Sequence, residues 1–221
     1  RIQVDGRAAG SAVNLGDLRS LNPVVERDGV IDITTPGDVL LNGKLLSDGS
    51  HWAGPGAVRV VAGGQLQLGS QAWISASAAA GSGAAGGQVT LFSHTDASNA
   101  PGATLLARGD GAGDGGFIEF SARKSINLST LTMDAGSDQG RAGLAYIDPD
   151  DLTVNGSIYT NGADLGLSAD KTLKVNSGVT LNTRRVTSDA ASAAGVAAAQ
   201  ALLNSNPDAV SVGNSGNITL Q

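Results

Sequence analysis

Three carboxylates stand close together at Asp148, Asp150 and Asp151, and they have the clearest potential for chemistry in this chain. Paired carboxylates that face each other across a sugar can act as the acid and the base of glycoside cleavage. Glu119 and Asp134 could join them if the chain folds as stacked coils. The Asp-Pro-Asp-Asp run is better explained as a turn, because Asp accepts local backbone N–H groups and Pro fixes φ. We therefore expect a structural turn and no enzymatic activity, with polysaccharide cleavage or ion binding as the alternatives.

A second acidic segment, residues 109–114, combines glycines with the carboxylates of Asp110 and Asp114. Such oxygen ligands and glycine spacing are similar to the loops of calcium-binding β-rolls, but the nine-residue iteration of those proteins is missing. The chain has no cysteine, and His51 and His94 are too far apart in sequence to form a zinc motif. We expect no metal ion and no cofactor, with calcium at the two aspartates as the alternative.

Aromatic side chains are the candidates for ligand contact. Trp52 and Trp73 lie near predicted coil corners, where an aromatic ring could stack on a sugar or on a partner protein. Alignment of the Gly-Gly corners places Phe117 level with Gln88 and predicts that its ring points outward. For each ring the alternative is a structural role as a cap over the core or a loop.

Three Asn-x-Ser/Thr sequons are candidate glycosylation sites. They begin at Asn127, Asn155 and Asn217. Sequons also arise by chance in a chain rich in Asn and Ser, so a plain structural role is the alternative at each position.

The composition indicates that small, repeated elements must position all of these residues. Glycine accounts for 32 of the 221 residues and aromatic residues for only 3%, whereas a globular core normally depends on large aromatic and aliphatic anchors. Hydrophobic residues reach 41%, which argues against disorder. The net charge of −6, with the basic residues scattered, argues against nucleic-acid binding. No apolar run approaches the roughly 20 residues that span a bilayer.

The strongest internal signal is a Gly-rich corner followed by short alternating strands. Corners at Gly56, Gly87, Gly116 and Gly143 each precede such a strand. The starts recur about every 20 to 30 residues, which is the length of a β-solenoid coil, and alternation would bury every second side chain in one column. We therefore predict an all-β parallel β-helix over residues 1–221. Second strands are predicted at residues 66–68, 104–106 and 126–128.

The connections between strands carry their own signals. The Asn-Gly pairs at residues 42–43, 155–156 and 161–162 are predicted corners in which positive φ is easily reached. Residues 78–87 and 109–116 are small and Gly-rich, and we interpret them as loops that leave the coil.

Residues 188–206 break the strand pattern. They are rich in Ala and Leu, begin with a cap at Ser188 and stop before Pro207, which predicts a short inserted α-helix. We expect this helix to cover a flank of the solenoid, and a partner-binding helix is the alternative.

A series of motifs resembles a known family. A Gly-Gly strand ending in Glu-x-Ser lies within residues 113–122, and Met-Asp-Ala-Gly follows at residues 133–136. Gly-Arg-Ala-Gly stands at residues 140–143, and an Asp-Pro-Asp-Asp-aliphatic step lies within residues 147–154. This order resembles the large exoproteins of two-partner secretion systems, namely the filamentous-haemagglutinin-like and high-molecular-weight adhesins. The likeness is clearest over residues 109–156 and continues more weakly to the C-terminus.

The resemblance implies a right-handed β-helix that an outer-membrane barrel transporter exports to the cell surface or the extracellular matrix. It also implies roles in adhesion, aggregation or biofilm, with the chain as a segment of a longer exoprotein. We expect a non-enzymatic adhesin or structural fibre module. A glycan-binding module and a polysaccharide lyase or hydrolase are the alternatives. The expected partners are the transporter, host-cell or matrix glycans and proteins, and further copies stacked end to end.

Overall fold

The computed structural model describes residues 2–5, 12–14, 16–19, 29–50, 54–185 and 215–221, with side chains described from residue 12 onward except at residues 17–19. These residues form a parallel β-solenoid with three sheets, which confirms the predicted all-β fold class. They contain no helix, and hence no helix long and apolar enough to cross a membrane. The helix predicted over residues 188–206 lies outside the described residues.

The strands are short and follow one another at regular intervals. In chain order they are β1 (Ile2–Asp5), β2 (Ala12–Asn14), β3 (Asp17–Arg19), β4 (Val30–Thr35), β5 (Val39–Leu41), β6 (Lys44–Leu46), β7 (Ala57–Ala62), β8 (Leu66–Leu68), β9 (Trp73–Ser75), β10 (Gln88–Ser93), β11 (Asp96–Asn99), β12 (Ala103–Leu106), β13 (Phe117–Ala122), β14 (Ser125–Leu128), β15 (Leu131–Asp134), β16 (Leu144–Asp148), β17 (Asp151–Val154), β18 (Ile158–Tyr159), β19 (Asp164–Leu167), β20 (Thr172–Val175), β21 (Leu181–Asn182) and β22 (Ile218–Leu220).

Every third strand belongs to the same sheet. Sheet A has the order β1-β4-β7-β10-β13-β16-β19-β22, sheet B the order β2-β5-β8-β11-β14-β17-β20, and sheet C the order β3-β6-β9-β12-β15-β18-β21. Six turns of three strands therefore run from β4 to β21 in the described part of the chain. The turns from β4 to β16 contain 27 to 31 residues, as the pairing of Ile31 with Val58 and of Val58 with Val89 shows.

The core is one aliphatic column enclosed by the three sheets. Val58, Val89 and Ile118 occupy the same register position in sheet A, and all three side chains are buried. Phe120 and Leu91 form the next buried level, as the alternation predicts. Each fully buried side chain of this size stabilises the fold by about 1.5–3 kcal/mol, so the column holds together strands that are too short to be stable alone.

The predicted strand positions are confirmed in sheet A, but one second strand was assigned to the wrong sheet. Residues 104–106 belong to β12 in sheet C, and the sheet B strand of that coil is β11. The sequence Asp-Ala-Ser-Asn of β11 has only one apolar residue, Ala97, which faces the core. Pairing with β8 and β14 on both sides therefore makes this segment a strand despite its weak intrinsic propensity.

The predicted positive φ is confirmed at one of the three Asn-Gly corners and is wrong at the other two. Asn161 and Gly162 do have positive φ, at 48° and 103°, but the other two pairs do not. At Gly43 an added Cβ would lie 2.2 Å from the carbonyl oxygen of Gly16 in the preceding coil. The side chain of Asn42 accepts a hydrogen bond of 3.0 Å from the N–H of Gln71 in the following coil. Close stacking of coils, and not positive φ, therefore explains this pair.

Candidate functional site

A column of glycines runs along the rod at the corner between sheets C and A. Gly56, Gly87, Gly116 and Gly143, which we call the glycine column, each stand directly before a strand of sheet A. A Cβ added at Gly116 would lie 2.2 Å from the carbonyl oxygen of Gly87, and one at Gly143 would lie 2.1 Å from that of Gly116. Any side chain here would collide with the backbone of the previous coil. The corners predicted from the sequence are thus confirmed and have a steric cause.

The backbone of the glycine column is fully hydrogen bonded. The N–H of Gly116 donates to the carbonyl of Ala107 at 2.8 Å, and its carbonyl accepts the N–H of Leu144 at 3.0 Å. The carbonyl of Gly87 accepts the N–H of Phe117 at 3.0 Å, and Gly56 and Gly143 are bonded in the same pattern. The column is therefore flat, close-packed and without free backbone donors on its N–H groups.

A shallow, open groove of about 830 Å³ follows the glycine column, and we call it the axial groove. The column and its neighbours Gly86 and Gly115 line the groove together with the first outward side chains of sheet A. Those side chains are Val30, Ala57, Gln88, Phe117 and Leu144, which the register aligns in one row. None of the lining residues is ionisable, so the groove is neutral.

The rest of the outward face of sheet A mixes aromatic and polar side chains. Tyr146 lies over Gly166, where an added Cβ would be 2.7 Å from the ring. The ring of Phe92 meets that of His94 edge to face, with 5.0 Å between the centroids. Glu119 occupies the same row as Tyr146, on the neighbouring strand. This face therefore presents rows of different side chains that continue along the rod.

The three aromatic residues predicted to contact a ligand have separate positions. Phe117 is half-buried, points outward and is level with Gln88, as predicted, and it lies in the axial groove. Trp73 lies on the outward side of sheet C and packs against Leu106, which favours the structural interpretation for this ring. Trp52 lies outside the described residues. Alignment to the glycine corners also places Leu144 beside Phe117, a position that the sequence pattern could have revealed.

The outward side of sheet C carries a buried charge cluster that sequence analysis missed. The guanidinium of Arg108 lies 3.1 Å from Asp134 and 2.8 Å from Asp138, and only 3% of its side chain is exposed. Arg185 also bonds to Asp138 and donates to the carbonyl of Ser137 at 3.0 Å. We call Arg108, Asp134, Asp138 and Arg185 the buried ion cluster.

Asp134 is the most enclosed member of the buried ion cluster. Besides Arg108, the side-chain amide of Asn161 and the N–H of Gly136 each donate to it at 3.0 Å. Burial raises the pKa of Asp134, and the charge of Arg108 together with these hydrogen bonds opposes the rise. Both carboxylate oxygens of Asp134 are therefore bonded within the protein, and these bonds tie neighbouring coils together. Arg108 stands two residues after the end of β12, as Ser77 does after β9 and Asp48 does after β6. This repeated position was the signal in the sequence that pointed to Arg108.

The two candidate calcium ligands, Asp110 and Asp114, both accept hydrogen bonds from other residues of the protein. A carboxylate oxygen of Asp110 accepts the N–H of Gly83 at 2.8 Å. Asp114 accepts two bonds from the guanidinium of Arg141, at 2.6 and 3.0 Å, and these bonds lower the pKa of Asp114. Within the described ranges no group of three or more His, Cys, Asp or Glu side chains could hold a metal ion. The arrangement thus favours a structural role for these aspartates.

The acidic residues considered for catalysis are divided between faces. Asp150 pairs with Lys171 at 2.6 Å, and its carbonyl accepts the N–H of Lys171, as expected for a corner. Asp148 ends β16 in sheet A, and Asp151 begins β17 in sheet B. Glu119 lies on the strand next to that of Asp148 in sheet A, whereas Asp134 belongs to sheet C, so the five acids do not share one face.

The three sequons lie on different elements. Asn127 is exposed in the middle of β14, on the outward face of sheet B. Asn155 accepts a hydrogen bond of 2.6 Å from the side chain of Asn176, and Asn217 donates to Asp164 at 3.2 Å. Of the three, Asn127 has a side chain that points into solvent from a regular strand.

The sequence was also compared with known proteins. It matches no protein-family model, and the searches of curated proteins and of solved structures find no match. The parallel β-solenoid itself agrees with a β-helical repeat region, and nothing in these comparisons identifies a family.

Proposed function

We propose that this chain is a non-enzymatic adhesin or structural fibre module of a secreted bacterial surface protein. The observation that carries the proposal is the outward face of sheet A. It consists of eight parallel strands that pair in register, so that one outward face continues over many coils. Repeated weak contacts along such a face can add up to firm attachment without a single deep site.

The secretion class is part of the same proposal. The motifs at residues 113–122 and 147–154 resemble those of two-partner secretion exoproteins, and the β-solenoid is the fold that such exoproteins would require. A barrel transporter in the outer membrane would then export the chain to the cell surface or the matrix. A reading frame for such a transporter beside the gene would support this class, and its absence from the genome would contradict it.

Self-association is proposed as a second route to fibre formation. β20 and β22 carry exposed apolar side chains, including Val175 and Leu220, which are 39% and 53% exposed. Strand edges with apolar side chains can stack on other strands unless they are covered. Sedimentation velocity over a wide range of protein concentrations measures this association directly. We expect oligomers that grow with concentration, and a monomer at every concentration would contradict this route.

Adhesion itself is tested with the purified 221-residue chain coupled to fluorescent beads. We expect the beads to bind cultured cells or extracellular matrix, whereas beads coated with an unrelated β-solenoid should not. Failure to bind either surface would contradict the adhesin proposal.

The enzymatic alternative is tested in parallel by incubating the chain with acidic polysaccharides. Product formation that disappears in the Asp148→Asn variant would replace the proposed function with polysaccharide cleavage.

A further inference from the structure

We infer that the axial groove binds a neutral, linear glycan along the rod axis. This inference rests on the proposed adhesive function and names the ligand class for it. The groove continues from the coil of Val30 to the coil of Leu144, which corresponds to five stacked coils. Coils are about 4.8 Å apart, so the groove is on the order of 20 Å long. A groove of this length spans several consecutive units of a linear polymer.

Charge complementarity favours a neutral polymer. The chain carries 20 acidic and 14 basic side chains, yet no Asp, Glu, Lys, Arg or His lines the groove. A polyanion or a charged peptide would therefore enter the groove without a counter-ion and would lose solvation. An uncharged polymer loses much less on entry.

The hydrogen bonding of the floor argues against a peptide. A peptide that adds as a β-strand needs unpaired N–H and C=O groups on an edge. In the glycine column the N–H groups of Gly87 and Gly116 donate to Ala76 and Ala107, and their carbonyls accept from the next coil. The floor therefore offers a flat surface for contact and no ladder for strand addition.

The wall of the groove has the side chains that sugars use. Phe117 is half-buried with its ring in the groove, and aromatic rings stack on the apolar faces of sugar rings. Gln88 stands beside it in register, is exposed, and has an amide that can both donate to and accept from hydroxyl groups. Leu144 follows on the other side of Phe117 and is 37% exposed. The row thus places one neutral hydrogen-bonding side chain, Gln88, among apolar side chains.

The test uses cellohexaose and N-acetylchitohexaose as neutral probes and hexagalacturonate as the charged probe, with binding to the full chain measured by calorimetry. We expect at least one neutral probe to bind, with affinity that rises from the disaccharide to the hexasaccharide, and no binding of the charged probe. A hexapeptide of alternating Thr and Val tests strand addition. Binding of the peptide or of hexagalacturonate in place of the neutral probes would overturn the inference.

Two pairs of variants locate the site. Phe117→Ala should weaken binding about tenfold, because it removes one stacking surface, whereas Phe92→Ala removes an outward ring of the same sheet outside the groove and should have no effect. Ala57→Trp fills the groove and should abolish binding, whereas Val61→Trp, on the same strand and the same face, should not. All four substitutions are on outward positions, and circular dichroism verifies that each variant is folded.

The outcomes separate this inference from the proposed function. If the chain adheres to cells but no neutral probe binds, or if each test variant behaves like its control, the glycan inference is wrong and the adhesive function stands. If neutral probes bind in the groove but the beads do not adhere, the adhesive proposal fails while the site remains.

Discussion

The outward sides of sheets A and C differ although the same coils build both. On sheet A the first outward row has exposed side chains at Gln88 and Leu144 and a half-buried one at Phe117, and it borders the axial groove. On sheet C the outward side chains of Leu106 and Asp134 are fully buried. A repeated coil therefore fixes the core but leaves each face free to become either an exposed surface or an enclosed polar cluster.

Two Arg–Asp pairs show the same contrast in their chemistry. Arg108 and Asp134 are 3% and 0% exposed, whereas Arg141 and Asp114 are 88% and 39% exposed. Burial raises the pKa of Asp134, and the bonds from Arg141 lower that of Asp114. The pKa of the aspartate is therefore shifted in opposite directions in the two pairs, because only Arg108 and Asp134 are removed from water by folding.

The largest effect is expected from breaking the buried pair. Arg108→Leu leaves Asp134 enclosed without its counter-ion and removes a partner of Asp138. We expect the free energy of unfolding at pH 7, measured by urea denaturation, to fall by about 3–5 kcal/mol. The loss should be smaller near pH 4, since a protonated Asp134 needs no counter-ion.

Arg141→Leu is the matched control for that variant. It removes the arginine of an exposed pair on the same side of the rod, and the urea midpoint should hardly change at pH 7. Equal destabilisation by the two substitutions would show that burial of the Arg108–Asp134 pair does not increase its contribution to stability.

A smaller effect is expected at the boundary between the two faces. Gly116→Ala places a Cβ 2.2 Å from the carbonyl oxygen of Gly87, so the coils must shift apart locally. We expect a loss of about 1–3 kcal/mol in the free energy of unfolding. Gly16→Ala is the control, because its Cβ would meet no atom within 4 Å. An unchanged midpoint for Gly116→Ala would contradict the steric account of the glycine column.

Much of the fold could be predicted because the strands of sheet A alternate inward apolar residues with outward ones after a glycine corner. Val89 and Leu91 alternate with polar residues behind a Gly-Gly corner, and the structure pairs them as that alignment requires. The strand β11 could not be predicted, since its four residues contain one inward alanine and three polar side chains. Its conformation comes from the strands above and below, which a local pattern does not include.

The candidate site, like the fold, could be predicted only in part. The outward position of Phe117 follows from strand alternation, and the glycine column follows from the repeated corners. The buried ion cluster was not predictable from composition, because Arg108, Asp134 and Arg185 stand in different coils and meet only after stacking. Long-range contacts of this kind depend on the register between coils.

The smallest expected effect concerns the pH response of the exposed pair. The pKa of Asp114 lies below its ordinary value of 3.8 in the folded chain, mainly because Arg141 donates to its carboxylate. Its contribution to stability is therefore present above the unfolded pKa and is lost as the pH falls through the lower, folded pKa. Asp134 has the opposite sign, because its raised pKa makes the folded chain bind a proton more readily than the unfolded chain.

Urea midpoints of the parent chain and of Arg141→Leu, measured from pH 7 down to pH 2, separate these two contributions. The small difference between the two chains should be constant above pH 4 and should disappear as Asp114 becomes protonated, because only Asp114 loses its partner in this variant. A difference that instead grows toward acid pH would mean that Arg141 acts through a group other than Asp114. The hydrogen bonds from Arg141 would then not be the cause of the lowered pKa of Asp114.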